Sequence, residues 1–277
     1  MIKKETLDHT KSLFDISELA KRAKYSDIFL TPNHRLARYV KDAWDKTLVA
    51  AGRKSWQRIE AFHWESWLIQ KWREEVKRGN LESKTLISSG LEKEIWRKII
   101  LSDLDVSPSF SLVDIGTTVE KAVVARKTIK NYRIDISKSA IKSIFSIEHD
   151  CSSYLNWLSQ FNEHIKENDL ITIEDAFFSL LNRSKYSFLT LDIYLIEFEH
   201  PPPILISFLE KLGANIHEQR NKSSHCNLNL VSYTGSQREL QAVAQWAFKK
   251  YQDDNLSTIG IVIDDTEIRR NQIEHVL

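Results

Sequence analysis

The chain has 277 residues, 42% of them hydrophobic, and a formal net charge of +1 at pH 7. That length accommodates one large or two ordinary domains, and eight tryptophans beside only seven glycines and five prolines favour a packed, helix-rich protein. The near-neutral charge excludes a chain that is basic throughout, so nucleic-acid binding would require a local cluster of Lys and Arg.

Cysteine content and hydropathy indicate the compartment. Cys151 and Cys226 are too few and too far apart for a disulfide framework or a zinc site, which fits a reducing environment. No apolar run approaches the ~20 residues that cross a bilayer, and the first residues lack the apolar core of a signal peptide. We therefore predict a cytoplasmic protein with no membrane partner.

A strand followed directly by a helix opens the patterned part of the chain. Asp27 to Leu30 is predicted to be a strand, which Pro32 stops because proline cannot donate to a ladder. Asn33 is a good N-cap, and the helix after it ends before Gly52. Its apolar face comprises Leu36, Val40, Ala43 and Trp44.

Basic residues lie at the start of this helix. His34, Arg35 and Arg38 accompany the free backbone N–H groups of the first turns, an arrangement that can hold a phosphate chain. The alternative interpretation is a plain strand–helix unit with solvated charges, since exposed arginines on helices are ordinary.

Tryptophans mark the next two segments. Trp56 to Phe62 alternates weakly, which predicts a short strand or an extended segment. A helix follows whose shared face carries Trp64, Trp67, Leu68 and Trp72. Such rings could stack on single-stranded bases, but the spacing is that of a buried stripe and favours core packing.

From 81 to 187 the hydrophobic period is helical almost throughout, and no cluster typical of a site occurs there. The α/β pattern returns with a predicted strand at Leu189 to Phe198, three prolines and a helix that ends at Gly213. Predicted strands at Asn227 to Tyr233 and Thr258 to Asp264 flank a strong helix, which implies a parallel sheet. The chain stops at Leu277 without a C-cap, and we infer an N-terminal fragment of a longer protein.

Several segments resemble a known family. They are Thr31-Pro-Asn-His-Arg-Leu-Ala-Arg38, Ala51-Gly-Arg-Lys-Ser-Trp56, Trp64-Glu-Ser-Trp67-Leu68, Glu197-Phe-Glu-His-Pro-Pro-Pro203 and the stretch from Arg238 to Leu277. In this order and spacing they are similar to the N-terminal region of bacterial DNA repair proteins of the AddB/RexB-like helicase–nuclease family. Members of that family join a superfamily 1 helicase-like body, usually without its ATPase residues, to a C-terminal PD-(D/E)XK nuclease domain.

The resemblance implies a RecA-like α/β fold with a parallel sheet and a large helical insertion. Residues 1–80 with 188–225 would form a helicase 1A-like domain that lacks the phosphate loop. Residues 81–187 would be the helical 1B-like insertion, and 226–277 the truncated start of a second RecA-like, 2A-like domain. The nuclease would lie downstream of Leu277.

The resemblance also places a degenerate Walker B motif. Aligning Pro203 with the proline of that motif puts Ile196 at the metal-binding aspartate and Glu197 at the catalytic glutamate, and isoleucine cannot ligate a cation. No Gly-x-x-x-x-Gly-Lys-Ser/Thr loop occurs in the sequence. We therefore expect no catalytic residue, no metal site and no cofactor in this fragment.

The function that follows is a noncatalytic DNA-binding and architectural module. Single-stranded or end-containing DNA would contact Thr31, Asn33, His34, Arg35 and Arg38, and a helicase subunit is a possible partner. Two alternatives stay open at this point: a nucleotide hydrolase with a non-standard phosphate loop, and a protein-interaction scaffold without DNA binding.

Overall fold

The structure is a computed structural model that describes residues 24, 26–106, 114–145, 147–183, 191–219, 231–253, 259–263 and 266–276. The chain divides into two compact units. Described residues up to 219 belong to the larger unit, and those from 231 onward belong to the smaller one.

The larger unit contains six strands in its described part: β1 (Ile28–Thr31), β2 (Glu60–His63), β3 (Thr85–Leu86), β4 (Leu170–Ile171), β5 (Asp192–Ile196) and β6 (Asn215–Gln219). Its helices are α1 (His34–Ala50), α2 (Trp64–Lys77), α3 (Ser89–Val106), α4 (Ile115–Asn131), α5 (Ser139–Phe145), α6 (His149–Glu167), α7 (Ile173–Asn182) and α8 (Pro203–Lys211). The smaller unit contributes α9 (Ser236–Asp253) and α10 (Thr266–Val276).

Four strands form a parallel sheet in the order β2-β1-β5-β6, which confirms the α/β class. The predicted strand at Asp27 to Leu30 occurs one residue later, as β1. The prediction of Leu189 to Phe198 is confirmed for its centre as β5, while residues 189 and 190 lie outside the described residues. The two strands pair directly, as expected for one sheet, with Leu30 opposite Leu195.

Two features of the larger unit were not predicted. β6 pairs with β5 along its whole length, but its alternation is hidden because most of its side chains are polar and exposed. The region from 81 to 187 is also not purely helical. β3 and β4 pair in parallel there, with Thr85 opposite Leu170, and a ladder of two residues leaves too short a pattern to detect.

The predicted strands of the smaller unit are wrong where the structure describes them. Residues 231–233 and 259–263 carry no strand pairing, whereas the rest of both predictions lies outside the described residues. An apolar alternating segment becomes a strand only when a neighbour completes its ladder, and the described part of this unit offers helices alone. The helix predicted at Glu239 to Ala247 is confirmed within α9.

The sheet core confirms the packing interpretation of the tryptophan stripe. Trp67 and Leu68 on α2 are each 1% exposed and belong to one cluster with β1, β5, α7 and α8. The Trp67 ring meets Phe208 of α8 edge-on at 5.9 Å between centroids. On the opposite face of the sheet, Phe29 packs against Trp44 of α1, so β1 is covered on both sides.

The helical block has its own core. Trp96 on α3 stacks on Phe161 of α6 with centroids 4.5 Å apart, and Ile100 is fully buried nearby. Leu91, in the first turn of α3, lies outside this core and is 45% exposed. These helices thus fold around aromatic packing that is separate from the sheet core.

One buried arginine joins the elements of this block by charge. Arg126 on α4 is 1% exposed, and its guanidinium lies 3.9 Å from Glu92, 3.7 Å from Glu174 and in direct contact with Asp175. It also donates a 2.9 Å hydrogen bond to the Thr172 hydroxyl, the N-cap of α7. Arg126 and Lys130, whose amine lies 2.9 Å from Asp175, therefore serve three carboxylates from two helices.

Glu92 carries the consequence of this shortage of positive charge. Burial raises the pKa of Glu92 to about 7, with Glu174 adding to the rise and Arg126 opposing it. Because the ordinary value is 4.5, the folded protein holds a proton between about pH 4.5 and 7 that the unfolded chain has released. Stability therefore falls as pH rises through that window.

We expect Glu92→Gln to abolish this loss. A pKa raised from 4.5 to about 7 corresponds to roughly 3 kcal/mol of unfolding free energy at most, so the variant should exceed the parent at about pH 8 and approach it near pH 5. Urea unfolding across this range measures the difference, with the exposed Glu163→Gln as control. A difference that does not change with pH would contradict the assignment.

Candidate nucleic-acid interface

The sheet order creates a crevice at the carboxyl ends of β1 and β5. From β1 the chain passes through α1 to β2 on one side, whereas from β5 it passes through α8 to β6 on the other. Ligands of open α/β sheets bind where the connections diverge in this way. The loop at Thr31 and the loop at Glu197 both emerge there, so the two stretches singled out in the sequence share one sheet edge.

The first loop is held rigidly by its own side chains. The buried Thr31 hydroxyl donates to the backbone oxygen of Asn33 at 2.8 Å and lies 3.2 Å from that of Phe62. The Asn33 side chain accepts from the Leu36 N–H at 2.8 Å, so the predicted N-cap is confirmed. Thr31 thus shapes the loop from below, while Asn33 stands exposed at the helix start.

The predicted basic residues lie on the surface of α1. His34, Arg35 and Arg38 are all exposed, and none forms an ion pair with another described residue. Arg35 and Arg38 thus face no described carboxylate within ion-pair distance.

A histidine pair borders this surface. The rings of His34 and His63, at the ends of the first loop and of β2, lie 4.4 Å apart between centroids. Burial lowers the pKa of His63; His34 and Lys127 act in the same direction, and Glu65 opposes them. Near neutral pH His63 is accordingly uncharged.

The second loop brings different chemistry. Ile196 ends β5 and is fully buried, so this side chain belongs to the apolar core. Glu197 follows with φ of 54°, a left-handed conformation that is uncommon for glutamate, and its N–H donates to the Gln219 oxygen at 2.9 Å. Among the residues that the structure describes, no three His, Cys, Asp or Glu side chains are grouped to hold a metal ion.

Two cations near the crevice were not singled out from the sequence. Lys41 on α1 and Arg58 before β2 belong to no motif, yet the fold places their charges close enough to interact. A count by segment would have drawn attention to them. Residues 34–58 contain seven Lys or Arg and two Asp, a net charge of +5 in a chain of net charge +1.

The N-cap geometry leads to a stability prediction. Asn33→Ala removes the acceptor for the Leu36 N–H and should lower the unfolding free energy by about 1 kcal/mol. Asn33→Asp retains the cap and complements the helix dipole, so it should unfold as the parent does or later. Urea denaturation followed by circular dichroism measures both. Equal stability of the alanine variant and the parent would show that the cap is dispensable.

No protein-family model matches this chain, and no curated protein proved similar to it. None of the helices in the described part of the chain is both long and apolar enough to cross a membrane. The observations that bear on function are therefore the parallel sheet, the crevice at its switch point and the basic surface of α1.

Proposed function

We propose that the chain is a noncatalytic, helicase-like N-terminal region of a bacterial DNA repair helicase–nuclease of the AddB/RexB-like family, acting as a DNA-binding and architectural module. In this proposal the sheet of β1, β2, β5 and β6 is a RecA-like 1A domain, α3 to α7 form the 1B-like insertion, and the smaller unit begins a 2A-like domain. A nuclease active site would belong to the longer protein.

The observation that carries the proposal is the unequal chemistry of the two loops at the switch point. The β1 loop presents an exposed helix start whose basic side chains form no ion pair with a described residue, which suits a phosphate backbone. The β5 loop instead begins with the buried Ile196, where the resembled helicases require a metal-binding aspartate. A crevice that keeps anion-binding groups but lacks this carboxylate favours binding over nucleotide hydrolysis.

Binding would draw on ordinary phosphate contacts. Arg35 and Arg38 are three residues apart on the exposed side of α1, so both can reach one strand of DNA. Backbone N–H groups of the first turn add directed donors. Such contacts position a strand without reading its sequence, which fits a repair protein that acts on single strands or DNA ends and works beside a helicase subunit.

We expect the purified chain neither to bind nor to hydrolyse ATP appreciably. The missing phosphate loop leaves no cradle for the phosphates, and Ile196 cannot hold magnesium. Isothermal titration with MgATP and a phosphate-release assay measure the two activities. Magnesium-dependent turnover that Glu197→Gln abolishes would instead support the nucleotide hydrolase.

Replacing both Arg35 and Arg38 by alanine should lower the affinity for single-stranded DNA by the same factor whatever the base sequence of the oligonucleotide. Losing two phosphate contacts should flatten the salt dependence by about one to two units of slope. Fluorescence anisotropy with oligonucleotides of different sequence measures the effect. The matched control is Lys46→Ala with Arg73→Ala, a Lys and an Arg that are exposed elsewhere on α1 and α2.

A protein-interaction scaffold is the second candidate, and the smaller unit favours it. Trp246, Phe248 and Tyr251 on α9 are each more than half exposed. Trp246 also lines an open groove of about 410 Å³ between α9 and residues 260–263, whose lining includes Glu239. If the Arg35 and Arg38 double variant binds DNA as the parent does at every salt concentration, the scaffold is the better description.

A further inference from the structure

One side of α1 faces β2 and carries a regular stripe of polar residues. His34, Arg38, Lys41 and Asp45 follow the i, i+4, i+7, i+11 spacing, which aligns side chains along a helix. The structure confirms their common direction through contacts with the segment that leads into and along β2. His34 meets His63, and Asp45 accepts a 2.7 Å hydrogen bond from the Trp56 indole.

We call the surface formed by this stripe and residues 56–63 the α1–β2 flank. Along the helix axis the stripe spans about 16 Å, enough for more than one phosphate of an extended strand. It begins at the crevice and continues away from it, past Arg38 and Lys41. The flank is thus an extension of the proposed interface rather than a separate patch.

Lys41 and Arg58 supply positive charge in the middle of the flank, where Glu60 is the nearby carboxylate. The Lys41 amine lies 5.2 Å from the centroid of the Phe62 ring, which holds the side chain against β2. Burial and the nearby Arg58 lower the pKa of Lys41, while Glu60 opposes them. Neither cation forms an ion pair with another described residue.

Two aromatic rings lie between the charges of the flank, and Phe62 packs against the sheet core with Lys41 over its ring. Trp56 and Phe62 are half-buried, and the indole of Trp56 is fixed by Asp45. Cations interleaved with aromatic rings are typical of surfaces that bind single-stranded nucleic acid, where bases stack on rings while the backbone follows the charge. Bases can stack on the Trp56 ring, whereas an acidic segment without aromatic residues uses only the cations.

We infer that the α1–β2 flank guides a single strand of nucleic acid away from the crevice, with Lys41 and Arg58 binding successive phosphates. The inference rests on the proposed DNA-binding function. It adds Lys41 and Arg58 to the proposed phosphate contacts and gives the path of the strand away from the crevice. Arg38 lies where the crevice and the flank meet and serves both. Arg35 lies outside the stripe, on the outer side of α1.

The test is Lys41→Gln combined with Arg58→Gln in the full chain, because glutamine keeps much of the aliphatic stem over Phe62. The control is Lys46→Gln with Arg73→Gln, which removes the same charges from exposed positions outside the flank. Anisotropy with a fluorescent oligothymidylate, from about 50 to 200 mM salt, should show a slope reduced by roughly 1.4 units for the flank variant and little change for the control. A Lys41→Arg, Arg58→Lys variant should retain binding.

The outcomes separate the two proposals. If the parent binds the oligonucleotide and the flank variant binds it as the control does, the proposed role of the flank is wrong, and the proposal of DNA binding at the crevice stands. Absence of binding by the parent overturns both. Polyglutamate and unlabelled oligothymidylate are then compared as competitors at equal total charge. If polyglutamate competes as well, the flank binds polyanions in general, and the assignment to nucleic acid is overturned. A midpoint of thermal unfolding equal to that of the parent protein confirms that each variant is folded.

Discussion

The position of β1 between two parallel partners is the constraint on which the larger unit depends. Ile28 lies opposite Glu60 of β2 on one side and Ile193 of β5 on the other, so both edges of β1 are hydrogen-bonded. Its side chains alternate between two covered faces: Leu30 lies in the core with α2, α7 and α8, and Phe29 packs against α1. Because parallel partners require crossovers, the helices must occupy both faces.

This pairing also creates the candidate site. β2 and β5 flank β1 although one follows it closely in the chain and the other comes after the whole helical block. The connections therefore diverge at the carboxyl ends, and a crevice opens without any special residue to form it. The side chains decide its chemistry: one loop has a capped helix start with exposed cations, and the other has an apolar strand end.

Helix α4 connects the helical block to the sheet through charge. Lys127 pairs with Glu65 of α2 at 2.6 Å, and Arg133, two residues after α4 ends, donates to Ser207 of α8 at 2.7 Å. Within the block, Lys130 pairs with Asp175 of α7 at 2.9 Å. Burial by itself raises the pKa of Asp175, but Arg126 and Lys130 bring it below its usual range. Such pairs add little net stability after desolvation, and we attribute to them the fixed orientation of the block.

What the sequence by itself determined is local. Hydrophobic period placed the helices and the tryptophan stripe, and Asn33 and Gly213 marked helix ends that the structure confirms, because capping and left-handed glycine are properties of neighbouring residues. Strands were harder to place. A strand depends on a partner far along the chain, so β6 was missed, and the residues at 231–233 and 259–263 carry no ladder.

Only the tertiary structure decided which polar groups meet. Arg126 and Glu92 carry no motif, yet the fold buries them together and raises the pKa of Glu92 to about 7. Lys41 and Arg58 are neighbours because α1 lies beside β2. The loops at Thr31 and Glu197 lie at one edge of the sheet because β1 pairs with β5. Burial and electrostatic interaction depend on the distance between groups in space. Hydrophobic periodicity reports only on residues close in the sequence, so it does not show which distant residues meet.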